Sequence, residues 1–276
     1  MRDFERCAAL RQWMLSSMKI ATWNINGIKA RHEALTAWLK SAAPDVVCLQ
    51  EIKSVEEGFP SEHFSDLGYR SAVHGQKGFN GVAILSRIPL EDVKRGLPGE
   101  PTDVQSRFIE AVVSGPAGIM RVASIYLPNG NPIGTDKFAY KLAWMRRLTA
   151  YTQELLALEE PLVLAGDYNV IAEPIDASNP GQWLEDALYQ PESRTAFRKL
   201  LNLGLTDAIR ACETGSHVYT FWDYQAGAWQ KDNGIRIDHL LLSPQAADRL
   251  AAAGIDKQVR GGEKPSDHVP VWVELT

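Results

Sequence analysis

From Lys19 onward the chain is built of short apolar runs, each closed by Gly, Pro, Asn or Asp, which is the signature of strands bounded by turns. "KIATWN", "DVVCLQE", "GVAILS", "RFIEAVV", "MRVASIYLP", "PLVLAGDYN", "YTFWDY", "RIDHLLLS" and "VPVWVEL" read in this way. Three longer segments carry helical periodicity instead. In "RHEALTAWLKSA", Ala34, Leu35, Trp38, Leu39 and Ala42 fall near one helix face; "DKFAYKLAWMRRLTAYTQELLALEE" is a long amphipathic stretch; "ESRTAFRKLLNLG" ends on Gly204, as a helix C-terminus should. Several strands follow one another directly, with "SGPAG" as the turn between two of them, so a strict strand–helix alternation is excluded. The expected fold class is α+β: a layered sandwich of mixed sheets with helices outside. "MRDFERCAALRQWMLSS" has no strand pattern, so residues 1–17 are expected to form a poorly ordered tail, and residues 18–276 one catalytic domain.

Composition narrows the function. A net charge of −5 argues against holding nucleic acid by bulk electrostatics, although a local basic face, or acids gathered around a metal, would evade that argument. Cys7, Cys48 and Cys212 are far apart, which indicates neither a disulfide framework nor a structural zinc site. No apolar run approaches the roughly 18 residues of a membrane span, and the start of the chain lacks the apolar core of a signal peptide. A cytoplasmic protein without a membrane partner is expected.

The candidate chemistry lies where the apolar runs stop. Asn24, Glu51, Tyr126, the pair Asp167 and Asn169, and Asp238 with His239 sit at or just beyond strand ends, and Asp267 with His268 precedes the last strand. One such case, "GDYN" alone, is an ordinary turn. Six cases suggest that the strand ends converge on one rim. Oxygen donors without cysteine suit Mg²⁺ or Mn²⁺ and point to phosphoester hydrolysis. No G-x-S-x-G nucleophile motif occurs.

"KIATWNINGIKAR", "PDVVCLQEIK", "GYRSAVHGQKGFNGVAILS", "YLPNG", "GDYNV", "YTFWDY", "GIRIDHLLLS" and "EKPSDHVPVW", in this order, resemble the exonuclease III family of apurinic/apyrimidinic (AP) endonucleases, within the endonuclease/exonuclease/phosphatase superfamily. The resemblance implies a four-layer α/β/β/α sandwich, acting as a monomer on double-stranded DNA with abasic sites or blocked 3′ ends. It implies Mg²⁺-dependent cleavage on the 5′ side of the abasic site, leaving a 3′-hydroxyl, with 3′-phosphodiesterase or exonuclease side activity.

Residue roles are carried over from the same resemblance. Glu51 matches the principal metal ligand, with Asn24 beside it and Asp267 close to the cluster; Asp167, Asn169 and His268 complete the metal-binding group. Asn26 stands where some relatives carry Asp. Asp167 would hold or deprotonate the attacking water, Asn169 would orient it, and Tyr126 would donate to the phosphate or the leaving group. His268 would face the phosphate with Asp238 fixing its tautomer. Phe221, Ile235 and Ile237 match the pocket that admits a base-free sugar, whereas Trp222 and His239 are read as packing. "DASNPGQWLEDALYQPES" is short and acidic where the bacterial branch carries a longer basic helix, leaving Lys53, Lys77, Arg107, Lys231 and Arg236 as candidate backbone contacts. A relative acting on a small phosphoester, or a non-catalytic DNA-binding module, remains as an alternative.

Overall fold

The computed structural model describes residues 17–115 and 117–276; apart from Ser17, the expected N-terminal tail lies outside the described residues. The strands are β1 (Met18–Asn24), β2 (Val46–Gln50), β3 (Arg70–His74), β4 (Val82–Ser86), β5 (Leu90–Arg95), β6 (Phe108–Gly115), β7 (Gly118–Tyr126), β8 (Leu162–Asp167), β9 (Thr206–Asp207), β10 (Asp238–Leu242), β11 (Leu250–Ile255) and β12 (Val271–Leu275). They form two six-stranded sheets, ordered β11-β12-β1-β2-β4-β3 and β5-β6-β7-β8-β10-β9. The two sheets share one plan. Each has a central parallel pair, β1 with β2 and β7 with β8, flanked by antiparallel neighbours.

Alternation along the strands explains why two sheets stack. Met18 and Ile20, Val46 and Cys48, Val163 and Ala165, and Leu240 and Leu242 point into a common apolar layer between the sheets. The intervening residues point outward to helices. Ala21, Val47 and Leu49 pack on Leu35, Trp38 and Leu39 of α1 (Ile28–Ala42), with Phe64 of the short α2 (Ser61–Asp66) in the same cluster. Leu162, Leu164 and Leu241 pack on Trp144, Met145 and Leu148 of α3 (Asp136–Leu156) and on Phe197 of α4 (Pro191–Leu201). Two single-turn helices, α5 (Ala208–Cys212) and α6 (Pro244–Ala247), complete the described α-helices, beside four short 3₁₀ segments. Burying each such Val, Leu or Ile contributes about 1.5–3 kcal/mol, so these three layers dominate the folding energy and yield the expected four-layer α/β/β/α sandwich. Helix α1 stops because Ala43 turns left-handed and Pro44 follows.

Two readings are corrected. "YTFWDY" is not a strand: Phe221 makes isolated bridges to Ile235 and His268, and Trp222 is buried as a loop anchor. Asp238 opens β10 rather than following a strand. Because β10 runs antiparallel to β8, with Asp238 opposite Asp167, its start meets the end of β8. The edge strands β3, β5, β9 and β11 gave little sequence signal, since β5 is mostly exposed "LEDVKR" and β11 is Ala-rich "LAAAGI".

Candidate active site

The inward-facing residues change character toward one rim. After the apolar layer come Thr22, Gln50 and Ser124, fully buried and joined across the sheets: Thr22 Oγ1 donates to Gln50 Oε1 (3.2 Å) and Gln50 Nε2 to Ser124 Oγ (3.0 Å). One step further along the same faces stand Asn24, Tyr126, Asp167 and Asp238. β12 is antiparallel to β1, so the Asp267–His268 loop arrives at the same rim. Parallel strands bring their ends here and antiparallel ones their beginnings, which is how residues 244 positions apart come to share one site.

Gly166 precedes Asp167 because β7 and β8 approach closely there; a Cβ would collide with the Ile125 carbonyl. After Asp167 the chain turns through Asn169, whose φ of 48° is left-handed, as are those of Asn26, Glu51 and Lys53 at 47°, 49° and 52°. Such conformations are costly for side-chain-bearing residues and cluster at functional rims.

The β1–β2 side holds an amide–carboxylate network. Asn24 Nδ2 donates to Glu51 Oε1 and to Asp167 Oδ2, both at 2.9 Å, bridging the two sheets. Lys53 Nζ lies 2.9 Å from Glu51 Oε2, and Asn26 Nδ2 donates to Asp267 Oδ1 at 2.9 Å. Burial raises the Glu51 carboxyl, but the Asn24 amide and Lys53 ammonium outweigh it and hold Glu51 below the usual carboxylate range.

The β8–β10 side is drier. Burial, only partly offset by His268, raises Asp167 to about 7, with Asp238 adding to the rise. His268 Nδ1 meets Asp238 Oδ2 at 2.8 Å, and its Nε2 lies 3.8 Å from Asp167 Oδ2. Burial opposes the imidazolium, yet the carboxylates of Asp238 and Asp167 prevail and raise His268 to about 10. Thr220 Oγ1 donates to the Asp238 oxygen that receives His268, at 2.6 Å. Asn169 is fixed by its amide: Nδ2 donates to the Leu127 carbonyl (2.9 Å) and to Asp167 Oδ2 (3.3 Å). Tyr126 stands between the halves. Burial, then Glu51 and Asp167, keep its hydroxyl protonated well beyond the ordinary range, and the Arg107 guanidinium lies 4.8 Å over its ring.

The donors fit a hard divalent cation. Asp167, Asp238 and His268 offer ligand atoms within 4.8 Å of one another, and the buried Asp238 Oδ1 has no hydrogen-bond partner. Among the described residues, only Lys53 and His268 lie in ion-pair contact with the group Glu51, Asp167, Asp238 and Asp267, so carboxylates outnumber paired cations there and a dication would offset the deficit.

The expected pocket residues divide. Phe221 is half-buried and packs edge-on against His268 with ring centroids 4.9 Å apart, whereas Ile235 and Ile237 are covered, in a cluster with Ile171, Leu188 and Tyr189. Of the candidate backbone contacts, Lys77 and Lys231 are exposed on loops, Lys53 is engaged by Glu51, and Arg107 props Tyr126. Arg236 corrects the reading. It is 1% exposed, its guanidinium bonded to Asp176 (2.7 Å) and Asp207 (2.7 Å), because it precedes β10 in an irregular segment that does not follow the strand's alternation and is tied by its backbone N–H to the Asp176 carbonyl. His239 lies in the same packed group, against Tyr168 and Phe197, as expected. Thr22, Gln50, Ser124, Thr220, Asn129 and Lys141 escaped sequence reasoning. Inward alternation, once the sheet faces are known, singles out Thr22, Gln50 and Ser124, whereas Thr220, Asn129 and Lys141, on loops and a helix, show only through their partners.

The pattern that describes the Endonuclease/Exonuclease/phosphatase family matches residues 21–268, from β1 through the His268 loop. The chain belongs to that family, in its exonuclease III branch. This nuclease is 35% identical to exodeoxyribonuclease III of Haemophilus influenzae over 94% of its own chain and 100% of that protein. A structure of an AP endonuclease from Archaeoglobus fulgidus superposes with a TM-score of 0.88 at 38% identity, covering 93% of this chain and 98% of the other. A Neisseria 3′ phosphatase, solved bound to a product DNA hairpin, superposes at 0.90 with 38% identity, over 94% and 99%. The protein is therefore a hydrolytic DNA repair nuclease of the AP endonuclease type. No described helix is long and apolar enough to cross a membrane.

Proposed function

We propose that this nuclease cleaves the phosphodiester 5′ to an abasic site in duplex DNA in a Mg²⁺-dependent reaction, leaving a 3′-hydroxyl, and also trims blocked 3′ ends. The observation that carries the reading is the buried pair of Asp167 and His268, side by side at 3.8 Å. A carboxylate raised to about 7 is poised to take a proton near neutral pH, and an imidazolium held to about 10 stays a donor there. Asp167, oriented by Asn24 and Asn169, holds the attacking water and accepts its proton as the water oxygen bonds to phosphorus. His268 Nε2 donates to a non-bridging oxygen, and the Tyr126 hydroxyl donates to the 3′-oxygen as the P–O3′ bond breaks. Glu51 with Asn24 and Asp267 would hold Mg²⁺, or Mn²⁺ in its place, leaving Asp167 and His268 free for proton transfer; when bound, the metal would neutralise phosphate charge and stabilise the leaving oxygen.

Selection falls to the rim. Phe221 beside His268 walls a space for a base-free sugar, with Ile235 and Ile237 behind it; an abasic nucleotide leaves the duplex at reduced cost. Of the exposed large apolar side chains among the described residues, Val55, Phe79, Val104, Ile175, Leu184 and Tyr224 sit on loops around this rim, and only Ile119 and Leu158 at the far end. That one-sided distribution suits a face that meets base edges in a groove, with Lys77 and Lys231 reaching phosphates. The test is a duplex with one tetrahydrofuran site and a duplex with a 3′-phosphate, each with Mg²⁺ and with EDTA. Incision only with metal is expected, and metal-independent or absent incision of both would overturn the reading.

A further inference from the structure

Lys141 breaks the apolar stripe of α3. It sits in register with Trp144, Met145 and Leu148, yet its side chain is wholly buried. A buried ammonium is costly unless it is paired and hydrogen-bonded. Its Nζ donates to the Asn129 carbonyl (3.0 Å) and the Asn169 carbonyl (2.5 Å), and no carboxylate lies in ion-pair contact with it among the described residues. Its stem is covered by Gly130, where a Cβ would come within 2.6 Å of Lys141 Cδ; a left-handed φ of 89° also suits glycine there. The two carbonyls belong to the two loops that flank the site: the turn after Tyr126 and the turn after Asp167. The side chains of these loops are joined as well, Asn129 Nδ2 donating to Asn169 Oδ1 at 3.2 Å.

We propose that Lys141 is a positioning residue for phosphoryl chemistry. It pins the left-handed backbone of Asn169 to the Asn129 loop, so that the Asn169 amide stays on Asp167 and the Leu127 carbonyl and holds the carboxylate in place. The argument has three links. Asn169 is a left-handed asparagine whose backbone N–H already caps Asp167 Oδ1 at 2.9 Å, so rotation of this turn moves the catalytic carboxylate and the amide together. The carbonyl of Asn169 points away from the rim into the apolar layer under α3, where without a donor it would be orphaned. Lys141 is the group that satisfies it and, through the same three-donor head, links it to the neighbouring loop. Burial lowers the Lys141 amine to about 7, so what the position keeps is a hydrogen-bond donor rather than a fixed charge, and that donor is explained by the geometry it imposes on the site. The inference rests on the proposed hydrolysis only for its kinetic readout.

The test is Lys141→Met, similar in length and apolar. Hydrogen exchange of peptides spanning residues 127–131 and 167–171 is expected to rise at least tenfold, with exchange in β1, β2 and β12 unchanged. The single-turnover rate on the abasic duplex is expected to fall at least hundredfold, while the duplex Kd in EDTA changes less than threefold. Hydrolysis of bis(p-nitrophenyl) phosphate with Mg²⁺ should fall in parallel. If the wild type turns over no DNA substrate, the functional reading fails while the exchange measurement and the small diester still decide the role of Lys141. A variant with unchanged exchange and a rate within threefold of wild type overturns the proposal. So does a variant whose exchange rises throughout the fold with activity lost in proportion to the unfolded fraction, since that is the mark of a merely structural lysine. Should Lys141→Met not fold, Lys141→Leu, which likewise removes every donor, takes its place with the same criteria.

Discussion

Two buried clusters of carboxylates, cations and a histidine lie on opposite sides of the start of β10, and their contrast separates structure from chemistry. Behind the strand end, Asp176 and Asp207 meet Arg236 and Arg210, with His239 3.0 Å from Arg236 Nη1. Each carboxylate there has a guanidinium partner; burial works to raise Asp176 and Asp207, but Arg236 outweighs it and both sit below the usual range. In front, Asp167 and Asp238 share one imidazolium, Asp167 is raised, and Asp238 keeps an oxygen without a partner. A charge-balanced cluster is complete as it stands. An unbalanced one with an orphaned oxygen is waiting for a proton, a cation or a substrate. Arg236 and Asp238 are two residues apart in "GIRIDHL", so sequence proximity conceals which cluster each serves.

The largest expected effect strikes the front cluster alone. Asp167→Asn should lower single-turnover incision by about a thousandfold or more, the scale of losing a general base, while DNA affinity is retained. Its effect on folding has a defined sign. A carboxyl raised from its unfolded value to about 7 costs stability as pH climbs from about 4 toward 7, so in EDTA at pH 7.5 the variant should melt no lower than wild type. A lower Tm with unchanged turnover would assign Asp167 to the structural class. The mirror experiment is Arg236→Met, which strands Asp207, leaves Asp176 with Arg210 alone, and should cost about 3–5 kcal/mol of stability. If that variant instead melts like wild type but loses activity, the partition between the clusters is wrong.

Glu51→Ala should reduce turnover by about a hundredfold at low Mg²⁺, part of which returns at higher Mg²⁺, with Tm unchanged; full activity at low Mg²⁺ would remove Glu51 from the ligand set. The pH dependence of wild-type stability sharpens the contrast further. Depressed carboxylates contribute stability above their unfolded pKa and lose it as pH falls through the folded value, so the rear cluster predicts a steep loss of Tm below about pH 4. His268 works from the other end. Its stabilisation is present below about 6.5 and disappears as pH rises toward 10. Flat melting temperatures across both windows would contradict these assignments. The smallest effect expected is selectivity: Phe221→Ala should lower abasic-site kcat/KM only a few-fold but raise the relative rate at an undamaged 3′ end, since a pocket wall acts by rejection. An equal fall on both substrates would return Phe221 to plain packing.

The polar residues that end apolar runs were legible because burying Asp or Glu at a strand end is expensive without compensation, and six such cases in one chain are hard to explain as turns. Arg236 was misread for the complementary reason. In one dimension a basic residue beside a pocket motif resembles a phosphate contact, and only the course of the segment before β10 shows that it turns toward Asp176. Thr22, Gln50, Ser124 and Lys141 were invisible because they are ordinary residues inside strand or helix patterns, and their importance comes from partners 12 to 74 positions away.

The sequence by itself determined the layers and the inventory: period-two runs dictate two-faced strands, period-3.6 runs dictate covering helices, and the choice of Asn, Asp, Glu, His and Tyr at the run ends restricts the chemistry to oxygen-ligated phosphoester hydrolysis. Tertiary structure alone decided which acids are paired and which are left in deficit, because charge balance depends on strand direction and facing. Those are settled only when β10 packs antiparallel on β8 and β12 on β1, bringing Asp238 and His268 to Asp167 while turning Arg236 and His239 to the other side.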